Sequence, residues 1–288
     1  MNKSTSESRA IVPPRREFSL LGFVAAPYTI AMRNHDLIRR LVQRDIESRF
    51  RGTVLGKVWA VIAPLFMLAI YTFVFGVILN SRWQDRTDEP FLFPVIYFSG
   101  LIVFNFFFDS VARAPTLMRE NQAFIKKIFF PVEIFAFAIV GSAIFRFGIG
   151  LAILAVFYLP IVGLPPLAVI TYPVLFFGLA LFTLGFAWIL SAVSVFIRDI
   201  AHLIGLVTML FMFLSPVFYP LSAVPEGLRA VLMFNPLTFP LESMRNALFF
   251  GDWPGLAGMA VYLAAGWLWA AAGHGIFMRL RPGFADVV

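Results

Sequence analysis

The stretch that decides the fold is HDLIRRLVQRDIESRFRGTVLGKVWAVIAPLFMLAIYTFVFGVIL, which occupies residues 35–79. Its first part, residues 35–50, has apolar residues on one helical face and arginines around the rest. This pattern is typical of a helix lying in the headgroup plane of a bilayer; a surface helix of a soluble domain is the alternative. Residues 58–79 then form a run of 22 residues without a charge, enough for a helix to cross about 30 Å of hydrocarbon.

The rest of the chain repeats this apolar character. It is 60% hydrophobic and 14% charged, whereas about a quarter of the residues in a soluble domain are charged. Because lipid offers no partners for backbone N–H and C=O groups, such runs predict helices rather than strands. The predicted fold class is an all-α integral membrane protein with six transmembrane helices and an N-terminal interfacial amphipathic helix. The predicted spans are residues 58–79, 91–112, 134–160, 173–196, 203–219 and 256–278.

Residues 220–255, between the fifth and sixth predicted spans, are too apolar for a plain loop. They are interrupted by Pro225, Pro236, Pro240 and Pro254. This pattern predicts re-entrant helices that dip into the membrane, where irregular backbone must be covered by protein or line a wet cavity. An amphipathic loop on the outer surface is the alternative.

Lysine and arginine are distributed unevenly around the spans. Eleven of them precede the first span, and the connection between the second and third spans adds four. Because cytosolic loops carry the excess of these residues, both termini are predicted to be cytosolic. The net charge of +7 comes from this bias and not from a basic face of a soluble domain, so no nucleic-acid partner is expected.

Residues that carry chemistry are scarce inside the predicted spans. Arg146 is the one clear charge in the middle of a span, and it is interpreted either as an anchor for a neighbouring helix or as a pore-facing contact. The sequence has no cysteine, no phosphate-binding glycine-rich motif and no His, Asp or Glu cluster at metal-ligand spacing. We therefore expect no catalytic residue, no metal and no cofactor on this chain, and any energy must come from a partner.

Aromatic residues are abundant, with 35 Phe, 7 Tyr and 6 Trp. Most are expected to face lipid or to form the interfacial aromatic belt. Some lie where they could instead line a channel, because flat aromatic faces give weak, repeated contact with the C–H faces of sugar rings. The candidate channel-lining residues are Trp59, Tyr71, Phe75, Phe104, Phe108, Phe218 and Tyr219.

Three stretches of the chain resemble the membrane-spanning subunits of type-2 ATP-binding cassette exporters, in the branch that exports polysaccharides and polyol phosphates. The first is LVQRDIESRFRGTVLGKVWAVIAP, residues 41–64, which is similar to the family pattern L-x-x-R-D-[IL]-x-x-R-[YF]-[RK]-x-[ST]-x-L-G-x-x-W-x-x-x-x-P. The second is NQAFIKKIFFP, residues 121–131. The third is LSPVFYP, residues 214–220, followed by VP at 224–225 and FNPLT at 234–238. They occur in the order found in the family.

The resemblance implies a permease in the bacterial inner membrane. Such a subunit forms a homodimer and binds two copies of a cytosolic subunit that uses ATP and magnesium. A lipid-linked glycan, an O-antigen or a capsular chain, would leave through a channel between the protomers. Contacts with membrane lipids, and an additional periplasmic or outer-membrane export partner, are also expected.

The same resemblance assigns roles to individual residues. The cytosolic coupling region would be residues 113–131, in which the contacts to the ATP-binding subunit are Asn121, Phe124, Lys126, Lys127 and Phe130. For the two lysines, ordinary positive-inside charge is the alternative. The interface-helix residues expected at lipid headgroups are Arg44, Asp45, Arg49 and Arg51.

The predicted domains follow from these assignments. They are a cytosolic tail (1–34), the interface helix (35–57), the six-helix transmembrane domain (58–280) with its coupling and re-entrant regions, and a cytosolic C-terminus (281–288). Gly52 and Gly56 have small-x-x-x-small spacing, which predicts close helix contact. Two other functions stay open: a drug, lipid or haem exporter of the same superfamily, and, from a different class, a passive channel or intramembrane transferase.

Overall fold

The computed structural model describes residues 20–78, 92–125 and 130–287, and the regular secondary structure within these ranges is helical throughout. The prediction of an all-α membrane protein is confirmed. The helices are α1 (Leu20–Arg33), α2 (His35–Phe50), α3 (Trp59–Tyr71), α4 (Leu92–Arg113), α5 (Leu117–Glu120), α6 (Gln122–Ile125), α7 (Ile134–Ile161), α8 (Tyr172–Phe196), α9 (Ile200–Leu214), α10 (Glu226–Met233), α11 (Thr238–Phe249), α12 (Leu256–Leu280) and α13 (Phe284–Val287).

Five helical stretches of the described residues are long and apolar enough to cross a membrane. They are Gly56–Ile78, Leu92–Glu120, Ile134–Ile161, Leu167–Phe196 and Leu256–Gly283. Helix α9 is apolar but has 15 residues, so the count of six spans stays a prediction. It ends at Leu214 because Ser215 precedes a proline and is extended, with φ −104° and ψ 144°. The predicted fifth span, 203–219, therefore runs past the end of the helix.

Successive long helices run in alternating directions, so their ends lie at one or the other of two ends of the bundle. At the first end, Ser194 Oγ near the end of α8 donates to the carbonyl of Pro115, just after α4, at 2.8 Å. At the opposite end, the hydroxyl of Tyr158 on α7 donates to the carbonyl of Leu248 on α11 at 2.7 Å. We call these the α5 end, which carries α2, α5, α6 and α13, and the α11 end, which carries α10 and α11.

Helix α4 occupies the centre of the bundle. It contacts α3, α7, α8, α9 and α11, and side chains on every face of it are buried. Helix α3, which continues into π-helical turns at Thr72–Ile78, lies at the edge and buries little of its surface. Helix α11, within the region predicted to be re-entrant, packs against α4 and α8. Helix α1, within the predicted tail, packs against α12.

Helices α8 and α12 approach each other closely through glycines. A Cβ atom on Gly273 of α12 would lie 2.5 Å from the carbonyl oxygen of Gly185 on α8, and one on Gly266 would lie 2.9 Å from the carbonyl oxygen of Gly178. Since real Cβ atoms do not approach carbonyl oxygens so closely, both positions require glycine. The two helices therefore touch backbone to backbone, as small residues permit in membrane helices.

Gly52 and Gly56 have a different role from the one their spacing predicts. Their φ values are +82° and +52°, and nothing lies within 4 Å of a Cβ placed on either residue. The close helix approach that their spacing allows is therefore not made within the protomer. These glycines supply left-handed backbone conformations in the turn from α2 into α3, which other residues adopt only with strain.

Candidate functional site

The amphipathic helix α2 is held to the end of α4 by an ion pair. Arg113 Nη1 donates to both carboxylate oxygens of Asp45, at 2.6 and 2.8 Å. Burial alone would raise the pKa of the Asp45 carboxyl, but hydrogen bonding with Ser142 and Arg113, together with the positive charges of Arg113 and Arg49, outweighs burial and lowers this pKa. Asp45 is therefore an anion at neutral pH and fixes α2 against α4 and α7.

A second contact joins α2 to the segment that follows α4. Arg44 Nη2 donates to Asn121 Oδ1 at 2.9 Å, and its guanidinium lies 5.6 Å from the ring centroid of Phe124. Asn121 is itself oriented by donating from Nδ2 to the carbonyl of Leu117 at 2.9 Å. The Phe124 ring lies 4.7 Å from that of Phe130. Residues assigned to coupling and residues assigned to the interface helix are thus neighbours.

The last residues of the coupling region, and the chain just after it, are held by Arg281, which directly follows α12. Arg281 donates from Nη1 to Glu133 Oε2 and from Nη2 to the carbonyl of Phe130, both at 3.1 Å. Trp188 Nε1 on α8 donates to the carbonyl of Glu133 at 2.9 Å. The sequence gives no local signal of this role for Arg281, because Glu133 and Arg281 are 148 residues apart. Lys126 and Lys127, the other predicted coupling residues, lie outside the described residues.

A cavity of about 490 Å³ lies between α2, α3, α4 and α7. Trp59, Met67, Phe98, Ile102 and Phe147 are among its apolar lining residues, and its polar side chains are Arg49, Asn105, Asp109 and Arg146. Of the predicted channel-lining residues, Trp59 borders this cavity. The cavity combines an apolar wall with guanidinium groups, which is the pair of surfaces that an amphipathic ligand with an anionic head requires.

The two arginines of the cavity have different partners. Arg146 Nε on α7 donates to Asp109 Oδ2 on α4 at 2.9 Å, an arrangement consistent with the anchor interpretation of Arg146. Arg49 is more loosely held, with Nε 3.7 Å from Asp45 Oδ2. Burial first, and then the charges of Arg146 and Arg113, lower the pKa of Arg49 to about 10. Arg51, the remaining predicted headgroup residue, is exposed.

Most of the predicted channel-lining aromatics pack against one another within the chain. Tyr71 and Phe218 lie 4.5 and 4.9 Å from the ring of Tyr97, centroid to centroid, and Phe75 lies 5.5 Å from the same ring. Phe104 and Phe108 are buried and stack at 4.5 Å. Tyr219 donates its hydroxyl to the carbonyl of Phe213 at 2.7 Å. Phe104 and Phe108 thus belong to the interior of the protomer at α4. Tyr71, Phe75, Phe218 and Tyr219 are half-buried.

Arg245 on α11 is a buried charged residue to which the sequence pattern assigns no role. Its Nη1 donates to Glu242 Oε1 at 3.1 Å, and its Nη2 donates to the carbonyl of Pro216 at 2.8 Å. These bonds tie α11 to the chain just after α9. Within the described ranges, no three His, Asp or Glu side chains come close enough to hold a metal ion.

Known proteins resemble this chain over most of its length. The model of the ABC-2 type transporter family matches residues 36–249. An O-antigen export system permease protein, RfbA of Myxococcus xanthus, is 27% identical over 260 residues, covering 88% of this chain and 95% of that protein. RfbA of Klebsiella pneumoniae is 25% identical with the same coverage. The polysialic acid transport protein KpsM of Escherichia coli is 28% identical over 74% of this chain and 81% of its own length. On this evidence the chain belongs to the ABC-2 type transporter family.

Proposed function

We propose that this chain is the permease subunit of an ATP-driven exporter. Its cargo is a lipid-linked polysaccharide, an O-antigen or a capsular chain, which moves outward across the bacterial inner membrane. The observation that carries this proposal is the alignment with two permeases named for O-antigen export over 95% of their own length. The relative named for polysialic acid transport supports the same class of cargo.

The energy for transport comes, in this proposal, from a separate ATP-binding subunit present in two copies. ATP and magnesium are bound there, and this chain carries no cofactor. The permease acts as a homodimer, with the channel between the protomers. Membership of a family of ATP-binding cassette transporters and the scarcity of charge inside the predicted spans support this division of labour.

Coupling between the two subunits runs through α5, α6 and α2. A partner seated against Asn121, Phe124 and Phe130 displaces this segment when it binds or hydrolyses ATP. Because Arg44 bonds Asn121 and Asp45 bonds Arg113, the displacement reaches α2 and the end of α4 together. The short Arg–carboxylate bonds are strong enough to transmit such a movement.

The proposed topology places the α5 end in the cytosol, together with both termini, and the α11 end outside. Lysine and arginine placement supports this orientation. The tail 1–34 precedes the interface helix 35–57, the transmembrane domain spans 58–280, and 281–288 follow. A periplasmic or outer-membrane partner receives the polymer at the α11 end, and nucleic acid has no role.

Deletion of the gene tests the proposed cargo. We expect the deletion strain to lose its surface polysaccharide and to accumulate lipid-linked polymer on the cytosolic side of the inner membrane. Both are measured by silver-stained glycolipid gels and by antibody labelling of intact cells, with the plasmid-borne gene as the control. Normal surface polysaccharide in the deletion strain would contradict the assignment.

A second arm of the same experiment separates this function from the passive channel. Liposomes containing the purified permease alone should retain a trapped fluorescent sugar, because transport requires the ATP-binding partner. Leakage without a partner would favour the channel. A gene deletion that changes only drug or haem tolerance would favour the other exporter class.

A further inference from the structure

The cavity between α2, α3, α4 and α7 is not lined by the aromatic cluster of Tyr71, Phe75, Tyr97 and Phe218, nor by the segment assigned to coupling. Two of its lining residues on α3, Trp59 and Met67, are 44% and 47% exposed, and α3 itself lies at the edge of the bundle. The α3 side of the cavity therefore borders the edge of the bundle. A molecule lying along this edge can reach the cavity without passing through the core.

The polar part of the cavity has a net positive charge. Its ionisable lining residues are Arg49, Asp109 and Arg146. Asp45 and Arg113, which also act on Arg49, have opposite charges that cancel, so one positive charge is in excess. Burial first, and then the positive charge of Arg146, lower the pKa of Arg49, so the Arg49 cation lacks full compensation at this place. A single bound anion between the two guanidinium groups supplies this compensation.

Arg146 also has an unsatisfied hydrogen-bond donor. Its Nε edge is taken by Asp109, but its Nη2 nitrogen is buried and has no hydrogen-bond acceptor among the described residues. A buried N–H group without an acceptor is unfavourable by about 1–3 kcal/mol. The Arg146 side chain lines the cavity and is 21% exposed, so an acceptor oxygen in the cavity meets a guanidinium with a donor to spare. Arginine is the side chain best suited to a phosphate in that position.

We propose that this cavity binds one anionic glycerophospholipid of the surrounding bilayer. Its phosphodiester lies between Arg49 and Arg146, and the beginning of one acyl chain lies against Trp59, Met67 and Ile102. The single charge of a phosphodiester matches the single excess positive charge, whereas a diphosphate would leave excess negative charge beside Asp109. A volume of about 490 Å³ accommodates the phosphate and the first part of a chain. This lipid is a resident of the permease and not its cargo, so the inference goes beyond the proposed function.

Native mass spectrometry of the purified protein tests the inference. The probe is phosphatidylglycerol, titrated into the detergent-solubilised protein. We expect Arg146→Gln and Arg49→Gln each to weaken its binding by on the order of ten-fold, the effect of losing one charge-assisted contact. The matched control is Arg39→Gln, which removes an exposed arginine from the same helix α2 and should leave binding unchanged.

Further variants separate lipid recognition from folding. The double variant Asp109→Asn with Arg146→Gln replaces the ion pair by two amides, so it should keep the thermal stability while binding is weakened about as much as in Arg146→Gln. Arg146→Lys should retain part of the binding. If Arg146→Gln and Arg49→Gln bind phosphatidylglycerol as well as Arg39→Gln does, the site is absent.

Three other probes define the ligand. Zwitterionic phosphatidylcholine should bind more weakly than phosphatidylglycerol, because its head has no net charge. Inorganic phosphate should not displace the lipid, because the apolar wall contributes to binding. Equal binding of either probe would overturn the proposal. Preferential binding of a polyprenyl phosphate would also overturn it, because the cavity would then hold the lipid carrier of the cargo.

Discussion

Helices α3 and α4 make a useful comparison, because both are apolar and both begin or end beside α2. In the most apolar part of Gly56–Ile78, which contains α3, 6% of the residues are buried. In the most apolar part of Leu92–Glu120, which contains α4, 78% are buried, although α3 is the more apolar of the two helices. In a soluble protein the more apolar helix would be the better buried one. In a bilayer, lipid solvates the apolar surface of α3 as well as protein does. The number of protein side chains packed around a helix, and not its hydropathy, therefore decides how much a substitution destabilises the protein.

The largest expected effect is on α4 at Gly100. A Cβ atom there would lie 2.7 Å from Arg245 Nη2, so Gly100→Leu pushes the buried guanidinium away from the carbonyl of Pro216. A buried charge without its partners is unfavourable, and we expect about 3–5 kcal/mol of destabilisation. The measurement is unfolding of the purified protein in detergent, followed by circular dichroism.

Gly148 of α7 provides the control for that change. Nothing lies within 4 Å of a Cβ on this residue, so Gly148→Ala should be neutral or stabilising by up to about 1 kcal/mol. Similar losses at both glycines would mean that the close packing of α4 against Arg245 has no special importance.

A smaller effect is expected from truncating an isoleucine on each helix. Ile96 of α4 is fully buried, whereas Ile70 of α3 is 38% exposed. Ile96→Ala leaves a cavity among rigid neighbours and should reduce stability by about 2–4 kcal/mol. Ile70→Ala, where lipid or a partner can fill the space, should remain below about 1 kcal/mol. Equal losses in the same unfolding assay would remove the distinction between the two helices.

The smallest effect concerns how each helix is joined to α2. Helix α3 follows α2 through a glycine turn, whereas α4 is held to it by Asp45 and Arg113. A double-mutant cycle with Asp45→Asn and Arg113→Gln should give a coupling energy of about 1–2 kcal/mol. A coupling energy near zero would mean that this pair does not fix α2.

The same pair predicts the pH dependence of the α2 contact. The pKa of Asp45 is lower in the folded protein than its ordinary value of 3.8, so its contribution is fully present well above that value. The contribution is lost as the pH falls through the lowered pKa. Hydrogen exchange of α2 should therefore be constant from neutral pH to mildly acidic pH and should increase only below that range. Asp45→Asn should abolish the acid-dependent increase.

The positions of the longest helices could be predicted from the sequence. The predicted spans 134–160 and 256–278 begin at the same residues as Ile134–Ile161 and Leu256–Leu280 and end one and two residues earlier. Apolar runs bounded by charges or prolines fix these limits. The prediction failed where a local backbone rule decides the boundary, at Pro216 after α9 and in the turn between Gly52 and Gly56.

The contacts of the candidate site could not be predicted in the same way. Helices that are apolar all round do not reveal which face meets a neighbour, so the bond between Arg146 and Asp109 was not foreseen. Asp45 and Arg113 are 68 residues apart, and neither carries a local signal of the other. The resemblance to known permeases places Arg44 in one family motif and Asn121 and Phe124 in another. The contacts between these residues are visible only in the structure.

The glycine contact between α8 and α12 limits how this protein can open. Where Gly185 and Gly273 meet, there is room for no side chain on either residue, so the two helices cannot slide or tilt against each other without a steric clash. We therefore expect α8 and α12 to move together as one rigid unit. We therefore expect any change of shape to involve α3 and α9, which bury little of their surface within the protomer, rather than the contact between α8 and α12.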